Sequence, residues 1–366
     1  MVTLADIFAR HGAAYQQQFG PQLLPSHRQA MRAIYQCRTA ALGGHVYTCD
    51  SCDHTQYHYH SCRNRHCPQC QGDKAQQWLA RQQEMLLPVP HYLLTFTLPA
   101  PLRVLARSQQ KLVYNLLFRA SAAATQQLAQ NPRWLGGTLG MVGVLHTWGR
   151  TLSYHPHVHY LVPAGAWDGQ VWRYGRSRRF LLPVKALSSL FRAKFRDGLK
   201  KHDCFATIPA AVWSQAWVVH CQPVGRGQRA LRYLAAYVFR VALANWRLVA
   251  VTQESVTFRY RPSGSREWRL CTLSALEFIR RFLQHVLPKG FVKVRYYGFF
   301  SPGQRRVLHQ IVAWLAPSPP ALSPPVTRQE AQNSSSLDWY PRCPHCGQPL
   351  RLVQKLKPNN LRAPPL

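Results

Sequence analysis

Two cysteine pairs at turn spacing, Cys49-Asp-Ser-Cys52 and Cys67-Pro-Gln-Cys70, stand 14 residues apart in the first quarter of the chain. A Cys-x-x-Cys turn lets two thiolates grip one tetrahedral Zn²⁺, and a second such turn closes the site. The spacing is near that of four-cysteine zinc ribbons, so Cys49, Cys52, Cys67 and Cys70 are expected to hold one structural zinc. A ribbon this small needs its metal to fold. Cys37, Cys62 and His66 share the segment and can replace a ligand or build a second, partial site. The eleven cysteines are clustered and odd in number. The first residues, Met1-Val2-Thr3-Leu4-Ala5-Asp6, show no basic stretch followed by an apolar one, so no secretory signal is expected. Metal ligation in a cytoplasmic protein is therefore expected rather than a disulfide framework.

Charge narrows the partner. Forty-six Lys and Arg against 13 Asp and Glu give a net +33, a balance that repels itself in a compact state and suits a polyanion. Arg63, Arg65 and Lys74 flank the cysteine turns, with Tyr47, Tyr57 and Tyr59 between them. Basic groups interleaved with aromatics suit phosphate contact plus base stacking. The most apolar region, Tyr233 to Val251, is broken by Arg240 and Arg247, so no membrane span is expected. No Gly-x-x-x-x-Gly-Lys-Ser/Thr exists, which argues against a nucleotide-triphosphate engine. No carboxylate lies between Glu84 and Asp168, which disfavours a two-metal nuclease built on gathered acids.

The pattern of helix-like and strand-like runs divides the chain into an N-terminal helical segment (1–36), a zinc-binding DNA-contact domain (37–88), a catalytic domain (89–315), a Pro-rich linker (316–341) and a C-terminal Cys-x-x-Cys knuckle with a basic tail (342–366). Within the catalytic domain, strands are predicted near 91–98, 139–148, 157–163, 212–220, 247–251, 255–260 and 291–297. Helices are predicted over 101–130 and near 184–200, 228–240, 273–287 and 303–315. Mixed elements without strict alternation predict an α+β fold. Cys343 and Cys346 make half a ribbon without an evident partner.

The chemistry concentrates in two places. In Tyr154-His155-Pro156-His157-Val158-His159, His157 and His159 project to one face of a strand. Two imidazoles on one face can hold a divalent cation with positions left open for phosphate oxygens. His146, at the end of the preceding strand, is the expected third ligand, with His155 and Gln222 as rivals. In the helix beginning near 228, Tyr233 and Tyr237 are four apart and share a face. Tyrosine can serve as a covalent nucleophile. Its phenol has a pKa near 10, so a cation and nearby Arg232 or Arg240 would favour the phenolate.

Together these residues resemble the two-tyrosine rolling-circle transposases of bacterial insertion sequences, the insertion-sequence ninety-one family. The resemblance runs from about residue 10 to 350. It rests on Cys37-Arg-Thr-Ala-Ala-Leu-Gly-Gly-His-Val-Tyr-Thr-Cys49, Ser61-Cys-Arg-Asn-Arg-His-Cys67-Pro-Gln-Cys70, Leu145-His-Thr-Trp-Gly149, His155-Pro-His-Val-His159 and Tyr233-Leu-Ala-Ala-Tyr237. It implies an HUH-type catalytic domain, named for the His157-Val158-His159 pattern, with a central antiparallel sheet and flanking helices behind a small zinc-ribbon-like domain. It further implies Mg²⁺ or Mn²⁺ at the histidines, and cleavage and rejoining of single-stranded transposon ends and target DNA through 5′-phosphotyrosine links to Tyr233 and Tyr237. Such a protein would be nucleoid-associated when bound to DNA. Phe239 and Trp246 depart from the family, where histidines are common. Plasmid replication initiators and relaxases share this chemistry, and a non-catalytic zinc DNA-binding protein is the reading from another class.

Overall fold

The computed structural model describes residues 2–177, 179–238, 243–262, 264–316 and 341–359, and not the side chains of residues 236 and 237. Phe239, Arg240 and most of the expected Pro-rich linker lie outside the described residues. In chain order the helices are α1 (Leu4–Phe19), α2 (Pro25–Tyr35), α3 (Gly72–Glu84), α4 (Arg103–Ser108), α5 (Gln110–Gln130), α6 (Val184–Leu199), α7 (Ala211–Ser214), α8 (Gln228–Val238), α9 (Ala275–Leu283) and α10 (Arg305–Leu315). The strands are β1 (Gly44–Thr48), β2 (Thr55–Tyr59), β3 (His91–Thr97), β4 (Met141–Trp148), β5 (Tyr154–Pro163), β6 (Gly165–Trp167), β7 (Trp172–Tyr174), β8 (Val219–Pro223), β9 (Leu248–Val251), β10 (Ser255–Tyr260), β11 (Arg269–Ser274), β12 (Val294–Tyr297) and β13 (Arg351–Leu356). Among the described residues no helix is long and apolar enough to cross a membrane.

A five-stranded antiparallel sheet, in the order β12-β4-β5-β3-β8, forms the centre. Alternation along its strands sorts side chains between two layers. Leu94 and Phe96 of β3, Met141 and Leu145 of β4, and Val158, Tyr160 and Val162 of β5 face the main core. There they meet Leu117, Phe118 and Ser121 of α5 and Phe191 and Phe195 of α6. Each fully buried large apolar side chain here contributes about 1.5–3 kcal/mol. Gly143 is required at this layer, because a Cβ there would lie 2.6 Å from the Tyr160 ring. Val144 and Leu161 face the opposite side and pack beneath Ala230, Leu231 and Leu234 of α8. The same face of the sheet carries the histidines, so α8 is laid directly beside them.

A second core joins α1, α2 and α9 to the sheet β11-β10-β9. Thr3 and Asp6 cap α1 reciprocally, and Ser274 caps α9. Phe8 meets Phe282 edge-on at 5.7 Å. The third sheet, β13-β1-β2, belongs to the cysteine-rich region: the basic tail supplies β13, which pairs with β1 from Gly44↔Leu356 to Thr48↔Arg351.

The α+β class with an antiparallel sheet stands. The strand expected over 212–220 is instead α7 followed by β8, because Val212 and Trp217 both enter the main core and the Trp217 indole donates to the Val212 carbonyl at 3.0 Å. Strands β1, β2, β11 and β13 and the hairpin β6–β7 are elements that the sequence pattern does not predict.

Candidate functional site

The register of the central sheet builds the histidine site. His146 on β4 lies opposite His157 on β5, and His159 sits between Val144 and Thr95 of β3. Ring centroids are 5.3 Å apart for His146 and His157, 4.6 Å for His146 and His159, and 4.8 Å for His157 and His159. One ring nitrogen of each lies within 4.8 Å of the others.

Neighbouring groups orient the rings. His157 Nδ1 donates to the His155 carbonyl at 2.6 Å, so its Nε2 keeps the lone pair a cation needs. His159 Nδ1 is 2.8 Å from the Thr95 hydroxyl, and its Nε2 is buried without a hydrogen-bond partner. His146 stacks on Trp148 at 5.2 Å, and the Lys293 ammonium lies 4.9 Å over that indole. Burial holds all three imidazoles below their ordinary pKa, His157 at about 4, so near neutral pH each is uncharged, the form that can ligate a cation. Burial likewise draws Lys293 down to about 7.

The rivals separate. His155 Nδ1 accepts from Arg103 at 2.8 Å, and Gln222 pairs with Leu93, two residues along β3 from Thr95, the partner of His159. The nucleophile candidate on α8 falls beside the cluster: the Tyr233 ring is 6.2 Å from His146 and 6.0 Å from His159, and 44% exposed. Tyr237 lies one turn further along α8, with its side chain outside the described residues. Arg232 and Arg63 are exposed, and Arg63 holds a left-handed backbone at φ 52°. Arg65 points inward, donating to the Phe291 carbonyl at 2.6 Å. It ties the cysteine region to the segment before β12 rather than offering a free cation. Thr95, Trp148 and Lys293 are the supporting residues that sequence reasoning missed; Trp148 alone stood within a quoted motif.

The cysteines form two groups, not one. Cys37, Cys62, Cys67 and Cys70 bring their sulfurs within 4.8 Å of one another, and so do Cys49, Cys52, Cys343 and Cys346. The expected single site of Cys49, Cys52, Cys67 and Cys70 is therefore corrected. The cause is the β1–β2 hairpin: Cys49 and Cys52 form its tip, whereas Cys37 and Cys62 flank its base. Five residues of strand separate tip from base by about 16 Å.

In the first group the Cys62 and Cys70 sulfurs are 3.7 Å apart, and a tetrahedral S₄ zinc site sets about 3.8 Å. Hydrogen bonds from Cys37, Cys62 and Cys67 hold the Cys70 thiol far below its ordinary pKa. His66 is not in this group: it accepts from the Leu287 amide at 3.1 Å, and burial pushes its pKa down to about 3.

A family model described as "Putative transposase" matches residues 140–307, and one described as "Transposase zinc-binding domain" matches residues 7–98. A protein of Sinorhizobium fredii (strain NBRC 101917 / NGR234) named "Putative transposase y4qJ" is 38% identical over 372 residues, covering 94% of this chain and 93% of its own. The "Transposase for insertion sequence element IS801" of Pseudomonas savastanoi pv. phaseolicola is 30% identical over 282 residues, covering 72% of this chain and 68% of its own. No solved structure matches the chain at a significant level. Cysteine groups of zinc-site geometry, a zinc-binding domain match and two transposase relatives aligned along 94% and 72% of the chain agree: the chain belongs to the IS91 family of transposases, DNA-acting enzymes with an N-terminal zinc-binding domain.

Proposed function

We propose that the protein cleaves and rejoins single-stranded DNA through 5′-phosphotyrosine intermediates in rolling-circle transposition. Tyr233 and Tyr237 are the nucleophiles, and His146, His157 and His159 hold Mg²⁺ or Mn²⁺. The observation that carries this reading is the Tyr233 ring 6.2 and 6.0 Å from two of the three histidines. Neutral imidazoles, one with its Nε2 lone pair preserved and one with Nε2 buried and unpartnered, fit a divalent cation. Three protein nitrogens leave coordination positions for water and phosphate oxygens, the ligands hard cations prefer. Such an ion supplies positive charge beside the scissile phosphate.

The remaining steps belong to the chain. The Tyr233 hydroxyl oxygen bonds to phosphorus as the bond from phosphorus to the 3′ oxygen breaks, and the phenolic proton passes through solvent to that leaving oxygen. The phosphodiester energy stays in the link to tyrosine. A strand bearing a 3′ hydroxyl can then reverse the step and join without a nucleotide triphosphate. Two tyrosines allow two such links in alternation.

Single-stranded substrate is supported by an exposed ladder on the β9–β11 side. The Arg259 guanidinium lies 4.8 Å from the Trp246 ring and 5.7 Å from Trp268, and Arg261 lies 4.7 Å from Trp268. Exposed rings alternating with guanidinium groups offer stacking faces to unpaired bases. Acting on DNA, the protein works in the bacterial cytoplasm, at the nucleoid. The test incubates the full chain with labelled single-stranded transposon-end DNA and Mg²⁺ or Mn²⁺. A metal-dependent covalent adduct is expected; tight binding with no adduct under either metal would reduce the protein to a DNA-binding module.

A further inference from the structure

The zinc-binding family match spans residues 7–98, yet the second thiol group takes half its members from the far end of the chain. We propose that Cys49, Cys52, Cys343 and Cys346 hold a second structural Zn²⁺, in a composite ribbon assembled from both ends of the chain. It is separate from the site of Cys37, Cys62, Cys67 and Cys70.

The two contributing turns are copies of one knuckle. In the first, the Cys49 amide donates to the His54 carbonyl at 3.0 Å, and the Asp53 amide to the Cys49 carbonyl at 2.9 Å. In the second, the Cys343 amide donates to the Gln348 carbonyl at 2.8 Å, and the Gly347 amide to the Cys343 carbonyl at 2.9 Å. In each, the residue after the second cysteine is left-handed: Asp53 at φ 54° and Gly347 at φ 76°. Both turns thus present two sulfurs with the same backbone geometry, the arrangement by which paired knuckles close a tetrahedral site.

The sulfurs meet across the pair, Cys49 to Cys346 at 3.4 Å and Cys52 to Cys343 at 3.6 Å. These separations approach the S···S distance of about 3.8 Å in an S₄ zinc site and far exceed the bond of about 2.05 Å in a disulfide. The surroundings hold the knuckles in register. β13 pairs with β1, Cys49 and Cys343 are buried with Leu350, and His54 stacks on His345 at 4.3 Å. Arg351 meets Asp50 at 2.9 Å across the same junction. Four thiolates fill a tetrahedral zinc and leave no open position, so the ion is a clasp and not a reaction centre.

The experiment measures zinc per chain on the full-length protein purified under reducing conditions, and then the visible thiolate–cobalt absorption after exchange for Co²⁺. About two zinc ions per chain are expected, with Cys343→Ser/Cys346→Ser reducing this to about one and the cobalt absorption by about half. Cys52→Ser, on the opposite knuckle, should cause the same loss while circular dichroism shows the catalytic domain still folded. A wild-type content of about one zinc, or a full count in the Cys343→Ser/Cys346→Ser variant, would overturn the proposal. So would Cys49–Cys346 or Cys52–Cys343 disulfides in place of the second ion.

Discussion

The histidine site and the thiol sites differ in how the chain gathers their ligands. His146, His157 and His159 come from two adjacent strands of one sheet, whose other face is fixed by the main core. The thiol groups draw on the turn after α2, the loop before α3, a hairpin tip and, for Cys49 and Cys346, positions 297 residues apart. A histidine cluster of this kind is set by the sheet itself and needs no ion to assemble. A thiol site of this kind exists only when distant segments are held together, so metal binding there is coupled to folding.

The largest effect should come from stripping zinc. Chelation removes a folding contribution on the order of 10 kcal/mol. Amides of residues 37–71 should lose hydrogen-exchange protection while those of β3, β4 and β5 keep theirs. Equal loss in both regions would erase the distinction. Next, His157→Ala should lower strand cleavage about 10³-fold with little change in melting temperature, because the sheet does not depend on the ion. An unfolded variant would show the histidines to be structural instead.

Acid should separate the regions from the solvent side. Burial holds His66 at about 3 and His285 at about 4, against 6.5 in an unfolded chain. Their folded pKa values are depressed, so the unfolded state binds more protons between those limits. The stability they contribute is full above pH 6.5 and is lost as pH falls, toward about 4 for His285 and about 3 for His66, on the order of 2 kcal/mol for His285 by about pH 5. A melting temperature that is level above 6.5 and declines below it would agree, and one rising on acidification would not. The smallest change is expected from Thr95→Val, which removes the hydroxyl beside His159 Nδ1 and should weaken Mn²⁺ binding about 10-fold. Unaltered affinity would mean that Thr95 does not orient the ring.

What could be read from the sequence follows the same division. His157 and His159 were legible because a strand has period two, and Tyr233 because a helix places side chains by turns. Both rules are local. The neighbourhood of Tyr233 and the histidines depended on α8 packing over Val144 and Leu161, which no spacing reveals. Sequence proximity groups Cys49 and Cys52 with Cys67 and Cys70, whereas the fold pairs them with Cys343 and Cys346. Two short β-like runs, Gly44–Thr48 and Thr55–Tyr59, bracket Cys49 and Cys52 and were the available sign that this turn is a hairpin tip. Nothing local marked the basic tail as the strand that pairs with β1. The inward turn of Arg65 was equally hidden, since its partner is a carbonyl of Phe291.

The central claim is that a phenol beside a three-imidazole cation site attacks DNA. Its most direct test is to digest the covalent protein–DNA product and sequence the nucleotide-bearing peptide by mass spectrometry. A 5′-phosphate linked to Tyr233 or Tyr237 is expected, with no linked peptide from Tyr233→Phe/Tyr237→Phe. Linkage to any other residue, or cleavage that persists undiminished in the double variant, would contradict it.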